Sequence, residues 1–284
     1  MTIKSPTFLF ALLPALLLTG ACTSLKHVSD FSTAAEKSIT GYNTLAYSYE
    51  MHCQADCRQA YEAKLLKGTA AFSLTFQPAC DCAAARAKDE DAKKAYTTLL
   101  LYFAGLEKLS AGDRFIYKTS DLIGAMGKAR IISNDDLKAP VSSIADIVIN
   151  MATNAYREHA LETILDKAKT PVDQLLADLI ASNEILAADS KNDLKQFQGL
   201  LALNYTGEKP PAPSQQLNDY RVNNAAEEAS DATQKSLADF NALLQKIRDA
   251  HLKLANERMN LKDKDLITYL FTQANQLRTN ISKL

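Results

Sequence analysis

Residues 170–201 read TPVDQLLADLIASNEILAADSKNDLKQFQGLL, and this stretch indicates the fold class. Its apolar side chains recur every three or four residues, which places them along one face of an α-helix. Thr170 suits a helix N-cap and Pro171 suits the first helical position, so we expect a new helix to begin there. The stripe consists of Val172, Leu176, Leu179, Asn183, Leu186, Ser190, Leu194, Phe197 and Leu201.

This spacing has two interpretations. It resembles a coiled-coil seam that is interrupted by the polar residues Asn183 and Ser190. It also fits an amphipathic helix whose apolar face packs inside a helical bundle, and we favour this second interpretation.

The segments on either side also predict long helices. Upstream, Ser143 and Asp146 form a capping pair that predicts a helix to about Lys169. Downstream, residues 207–214 contain three closely spaced prolines and favour an extended loop. We interpret them as a stiff loop rather than an interdomain linker, because the helix predicted over residues 215–257 needs partners to bury its apolar face.

The composition of the chain supports the same fold class. The 284 residues include only 9 glycines and no tryptophan, and 47% are hydrophobic, which suits helices better than a sandwich or barrel. We therefore predict an all-α fold, an elongated antiparallel helical bundle of about seven helices. Residues 33–284 are expected to form a single helical domain.

Four cysteines are the most specific feature of that domain. Thr33 and Glu36 predict a helix that runs to about Leu66, and Cys53 and Cys57 share one face of it. Cysteines four apart on a helix bridge each other poorly and a Cys-x-Cys bridge is strained, so bonds to the Cys80-x-Cys82 segment are preferred. If that segment runs antiparallel to the helix, the nested pairs Cys53–Cys82 and Cys57–Cys80 follow.

A metal site is the alternative for these cysteines. Four thiolates, or three with His52, could bind zinc, but zinc ligands usually come as Cys-x-x-Cys pairs and these spacings differ. We therefore predict disulfides near the N-terminal helix and no metal ligand.

Residues 1–22 differ from the rest of the chain. One cation, Lys4, precedes an apolar run over residues 8–18, and small residues then lead to Cys22. This is the plan of a signal peptide, and the apolar run is too short for a settled transmembrane helix. The stretch Leu18-Thr19-Gly20-Ala21-Cys22 resembles the lipobox of bacterial lipoproteins, although Thr19 stands where leucine is commonest.

The lipobox resemblance implies how the mature protein is processed and where it is located. In that family the signal peptide, here residues 1–21, is removed, and the cysteine, here Cys22, receives a diacylglycerol and often a further acyl chain such as palmitate. Residues 22–32 would then be a lipidated cysteine and a polar tether. Thr23 favours the periplasmic face of the outer membrane over the inner membrane.

The sequence offers no catalytic signature. The four histidines lack the Glu-x-x-His spacing of di-iron bundles and the His-Glu-x-x-His spacing of zinc proteases. The formal net charge of −1 provides no basic footprint for nucleic acid. We therefore predict no catalytic residue, no cofactor and no nucleic-acid partner.

The remaining hypotheses concern binding. We expect an envelope lipoprotein that acts through protein–protein contacts, as an accessory, scaffold or neutralising subunit. The alternative is a helical module that binds a small apolar or cell-wall ligand. Tyr42, Tyr47, Tyr49 and Tyr61 could line an aromatic groove for such a ligand, but we interpret them as core and interface residues.

Overall fold

A computed structural model describes residues 25–69, 79–111, 132, 134–153, 158–206 and 210–281. The predicted all-α bundle is confirmed, and the described ranges contain no β-strand. The α-helices are α1 (Lys26–Ile39), α2 (Tyr49–Leu66), α3 (Ala83–Ala111), α4 (Asp135–Thr153), α5 (Glu158–Leu203), α6 (Pro213–Asn256) and α7 (Lys264–Ile281). Short 3₁₀ turns follow α1 at Thr40–Thr44 and α6 at Arg258–Asn260.

Helices α5 and α6 form an antiparallel hairpin that dominates the molecule. With 46 and 44 residues they are each about 65–70 Å long at 1.5 Å per residue. Arg248 pairs with Asp173 near one end, and Gln198 bonds to Glu227 at 2.8 Å towards the other. As residue numbers rise along α5, the residue numbers of their partners on α6 fall, so the two helices are antiparallel.

The apolar core occupies only one end of this hairpin. It is built from α1, α3, α4, α7 and the adjoining parts of α5 and α6, and among the described residues it ends at Leu179 on α5 and begins again at Phe240 on α6. The rest of the hairpin, residues 184–206 and 210–237, projects beyond the core and is called the arm below. The largest fully buried side chains include Phe31, Tyr102, Phe103, Phe240, Leu165 and Met151.

The predicted tether over residues 22–32 is wrong from Lys26 onward. Helix α1 begins at that residue, and Val28 and Phe31 are fully buried in the core. Thr33 does not cap the helix, because its hydroxyl donates to the Ser29 carbonyl one turn earlier. The apolar spacing had already begun before the capping pair, and core packing outweighed the local capping signal.

The single helix predicted from Thr33 to Leu66 is two helices. The 3₁₀ turn after α1 leads into extended backbone at Leu45. Ser48 then caps α2, since its side chain accepts a hydrogen bond from the Met51 backbone N–H at 3.3 Å.

Two further predicted helix boundaries are displaced. Helix α5 runs through Pro171 without a break, because Ala168 and Val172 are fully buried on either side of it. Proline removes only one backbone donor there, and core burial outweighs that loss. Helix α4 begins at Asp135 rather than at Ser143, and Asn134 caps it by accepting from the Asp136 backbone N–H.

The boundary at the proline-rich loop is close to the prediction. Helix α6 begins at Pro213, within two residues of the expected start, and Pro210 to Ala212 are non-helical. Residues 207–209 of the predicted loop lie outside the described residues.

Candidate functional site

Helix α2 is attached to the start of α3 by two disulfide bonds. Cys53 is bonded to Cys82 and Cys57 to Cys80, so the predicted nested pairing is confirmed. The two bridges fix one face of α2 to the residues that precede α3.

Polar contacts reinforce this attachment, whereas apolar burial contributes little. No residue of α2 is buried. The backbone N–H groups of Tyr49 and Glu50 each donate to the Asp89 carboxylate at 2.9 Å, so a side chain from α3 caps α2. Arg86 of α3 also pairs with Glu50 at 2.6 Å.

A second face of α2 lies against α5 and carries a histidine–aspartate cluster. His52 and Asp56 each precede a bridged cysteine by one position, which turns them by about 100° from the disulfide face. His52 Nδ1 lies 2.9 Å from Asp193 Oδ1, and the Tyr47 hydroxyl donates to Asp193 Oδ2 at 2.5 Å. Gln59 donates to the Asp193 carbonyl at 3.0 Å.

The other nitrogen of the imidazole faces two more carboxylates. His52 Nε2 is 3.6 Å from Asp56 Oδ2 and 3.9 Å from Asp189 Oδ1, both too long for hydrogen bonds. Within the described part of the chain, no lysine or arginine forms an ion pair with Asp56, Asp189 or Asp193, so His52 is the basic side chain that these three carboxylates share.

Burial raises the pKa of both acids in the Tyr47–Asp193 hydrogen bond, but their hydrogen bond affects the two pKa values in opposite directions. Burial raises the pKa of Asp193, and the hydrogen bond from Tyr47 and the neighbouring His52 oppose that rise. Burial and the hydrogen bond to Asp193 both raise the pKa of Tyr47 far above its ordinary range. Tyr47 therefore stays a donor, and this donor favours the ionised carboxylate that accepts from His52.

An open groove of about 760 Å³ runs beside this cluster, between α2 and the arm. Tyr47 and Asp193 lie at its edge, and small or apolar side chains make up much of the lining. These include Met51, Ala55, Leu194, Phe197, Ala226, Ala229 and Ala232. Met51, Ala229 and Ala232 are exposed, so the groove is open to solvent at these positions.

A smaller pocket of about 210 Å³ is lined by the core residues Tyr96 and Leu179 and shares Tyr47 with the groove. Tyr42 stacks on Tyr96 at its edge, with ring centroids 4.7 Å apart, and Tyr49 also lines it. Of the four tyrosines considered from sequence, Tyr47 therefore lines both cavities, while Tyr42 and Tyr49 line the smaller one. Tyr61 is half-buried on α2.

The end of the arm exposes large apolar side chains. Five of the nine exposed large hydrophobic residues in the described ranges lie there, around the turn between α5 and α6. They are Leu203, Tyr205, Leu217, Tyr220 and Val222.

Sequence reasoning missed the histidine–aspartate cluster because its two halves are 141 residues apart at their hydrogen-bonded pair. A usable signal was present. His52 with Asp56, and Asp189 with Asp193, are both spaced by four residues, so each pair occupies one face of its helix. Only the pairing of α2 with α5 brings them together.

No protein-family model, curated protein or solved structure matches this chain. None of the described helices combines the length and apolarity that a membrane crossing requires. The predicted signal peptide and the lipidation site Cys22 lie outside the described residues.

Proposed function

We propose that this protein is a lipid-anchored, non-enzymatic binding protein of the bacterial cell envelope, and that the groove between α2 and the arm takes up an amphipathic helix of a partner protein. The open apolar groove is the observation that carries the binding function. The lipobox stretch that ends at Cys22 is the basis for the anchor and for an outer-membrane location.

The shape and chemistry of the groove suit a helix. Helix-in-groove recognition places the apolar face of a partner helix into a hydrophobic channel between helices. Ala226, Ala229 and Ala232 lie on one side of α6, and their small side chains allow a partner backbone to approach closely. Met51 on the opposite wall is 48% exposed and offers an apolar contact.

The end of the arm offers a second contact surface. Tyr220 is 64% exposed and Leu217 is 49% exposed, although neither is needed to close the core. Five exposed large apolar side chains around one turn make this end of the arm a candidate interaction surface.

A small apolar ligand is the second candidate for the groove. Its volume of about 760 Å³ falls within the usual range of ligand pockets, roughly 300–1,000 Å³. Such pockets bury most of their ligand, however, whereas Ala229 and Ala232 leave this groove exposed along one side. The partner helix is therefore the better fit.

Site-specific photo-crosslinking in intact cells tests the binding function. A photoreactive amino acid replaces Ala229, which lines the groove, or Asp231, which is exposed on the other side of α6 and serves as the matched control. We expect the Ala229 probe to capture one envelope protein through a helical segment, identified by mass spectrometry of the crosslinked peptide. Capture should be absent from the Asp231 probe.

Two outcomes would contradict this function. Equal capture at both positions would mean that the groove is not selective. Capture at neither position, together with stabilisation of the purified protein by fatty acids in a thermal-shift assay, would favour the small-ligand function instead.

The anchor has its own test. Intact mass spectrometry of protein extracted from outer membranes should show cleavage before Cys22 and added acyl chains. Cys22→Ser should release the chain from the membrane fraction. An unlipidated mass with unchanged fractionation would exclude the lipid anchor.

A further inference from the structure

We propose that His52, Asp56 and Asp189 bind a divalent cation of the zinc class between α2 and α5, with Asp193 orienting the imidazole. This site is distinct from the helix-binding function of the groove. It would replace the sequence-based expectation that the chain has no metal ligand.

The orientation of His52 is the first argument. A carboxylate can only accept a hydrogen bond, so the 2.9 Å contact with Asp193 makes His52 Nδ1 the protonated nitrogen. The lone pair of a neutral imidazole is then on Nε2. That atom faces Asp56 and Asp189, which cannot donate a hydrogen bond to it when they are ionised.

The spacing of these atoms is the second argument. In a tetrahedral zinc site with bonds of about 2.0–2.1 Å, ligand atoms are about 3.4 Å apart. His52 Nε2 lies 3.6 Å from Asp56 Oδ2 and 3.9 Å from Asp189 Oδ1. Both distances from His52 Nε2 therefore exceed that spacing by about half an ångström or less. The donor atoms of His52, Asp56 and Asp193 also all lie within 4.8 Å of one another. The mixture of imidazole and carboxylate ligands suits zinc and its neighbours better than calcium.

Orphaned acceptor atoms on the face of α2 that carries His52 form an independent observation. Asp56 Oδ1 and Gln59 Oε1 are buried and have no hydrogen-bond partner in the described part of the chain. Both atoms are acceptors, so the group that would satisfy them is a cation or a donor. Buried acceptors are normally satisfied, which makes two neighbouring exceptions informative.

The shell behind the ligands matches the requirements of a metal-binding histidine. Such histidines donate their second N–H to a carboxylate that is itself held by hydrogen bonds. Asp193 fills that role for His52, and it accepts from the Tyr47 hydroxyl at 2.5 Å. Tyr47 and Asp193 are therefore positioning residues rather than ligands.

The cation would complete the attachment of α2. The disulfides at Cys53 and Cys57 hold one face of this helix to the start of α3. A metal bound by His52, Asp56 and Asp189 would join the neighbouring face to α5. Both attachments would then fix the wall of the groove, and the exposed side of Asp56 would leave a coordination position open to water.

Zinc titration of the detergent-extracted, full-length protein tests this site. The protein is treated with chelator, kept free of reductant so that the cysteines stay bonded, and titrated with zinc alone by calorimetry. Bound metal is counted by elemental analysis. We expect one zinc ion per chain, and we expect cobalt to give the visible absorption of a site with nitrogen and oxygen ligands.

Variants separate a built site from surface binding. His52→Ala and Asp189→Asn should each weaken zinc binding more than 10-fold, whereas Asp231→Asn makes the same charge change outside the cluster and should leave it unchanged. Tyr47→Phe removes only the hydroxyl behind Asp193 and should weaken binding about 10-fold, in the usual range for second-shell groups.

Two results would overturn the proposal. The first is wild-type protein that binds no zinc with defined stoichiometry, in which case the cluster is a hydrogen-bonded histidine among acids. The second is His52→Ala protein that binds zinc as tightly as wild type. Because no partner protein is present, either result leaves the crosslinking test of the groove unaffected.

Discussion

Helices α1 and α2 are neighbours in sequence but are attached to the molecule by different means. Eight of the 14 residues of α1 are buried, whereas none of the 18 residues of α2 is buried. The first helix is therefore part of the apolar core. The second is held by two disulfides, a carboxylate cap and a histidine–aspartate cluster.

This difference assigns separate tasks to the two regions. Apolar burial stabilises α1 and its neighbours by roughly 1.5–3 kcal/mol for each large side chain. Exposed ion pairs such as Arg86–Glu50 add little, so the bridges to Cys80 and Cys82 are the main constraint on α2. The disulfides let α2 form a groove wall without an apolar face of its own, and they leave Met51 available for a partner.

The largest expected effect contrasts one large apolar residue from each region. Phe103 is fully buried and makes an edge-to-face contact with Phe31, so Phe103→Ala should lower the free energy of unfolding by about 3–5 kcal/mol. Met51→Ala, at an exposed position of α2, should change it by less than about 0.5 kcal/mol. Urea unfolding followed by circular dichroism measures the free energy of unfolding of both variants. Equal losses would contradict the distinction between the apolar core and α2.

Acidification should destabilise the core through His251. This residue is fully buried, its Nε2 lies 2.8 Å from the Tyr102 hydroxyl, and burial lowers its pKa to about 4. The unfolded chain takes up a proton below pH about 6.5 while the folded chain does not, so stability is present above that pH and is lost as pH falls towards 4. The loss from this group should reach about 3 kcal/mol.

The control for this prediction is His251→Gln, which keeps a polar side chain beside Tyr102 but does not titrate. Its free energy of unfolding should fall less steeply between pH 6.5 and 4 than that of the wild type, whatever its stability at neutral pH. If the free energy of unfolding fell equally with pH in the two proteins, His251 would not be the cause of the acid destabilisation.

A smaller effect should be confined to α2. Asp89→Ala removes the acceptor of two backbone N–H groups at the helix N-terminus, which should make local opening of α2 easier by about 1–2 kcal/mol. Limited proteolysis should then cleave residues 49–66 roughly 5–30-fold faster. Glu90→Ala, at the exposed neighbouring position, is the control, and similar cleavage of both variants would remove the capping role.

The smallest effect is expected at the end of the arm. Tyr220→Ser should change the free energy of unfolding by less than about 0.5 kcal/mol, because this side chain is mostly exposed. Leu237→Ser, at a buried position of the same helix, should cost more than about 2 kcal/mol. A large loss from Tyr220→Ser in chemical unfolding would mean that the arm end supports the fold.

The sequence predicted features whose signals are local. The helix predicted over residues 215–257 matches α6 to within two residues, and the disulfide pairing follows from cysteines that share one helix face. Boundaries were misplaced where local signals competed with burial. Thr170 and Pro171 form a good helix start, yet the core residues around them keep α5 continuous.

The candidate site depended on tertiary packing and was not predicted. Nothing local indicates that α2 lies against α5 rather than against another helix, so His52 and Asp193 could not be paired from spacing alone. The groove was not predicted either. Alanines such as Ala226 and Ala229 favour any helix, so they do not mark a binding surface in the sequence. The groove lies between α2 and the arm, and the local sequence does not reveal that these two elements are neighbours.

The most direct test of this account is hydrogen exchange of the native protein, measured peptide by peptide before and after mild reduction of the disulfides. Each bridge closes a loop with a sequence separation of 23 or 29 residues, worth about 3–4 kcal/mol in the chain-entropy model. We predict that reduction speeds exchange in α2 by about 100-fold or more, while α1 and α3 near Phe103 stay protected. Unchanged protection of α2, or loss of protection throughout the core, would contradict the claim that the disulfides attach α2 to an independently stable core.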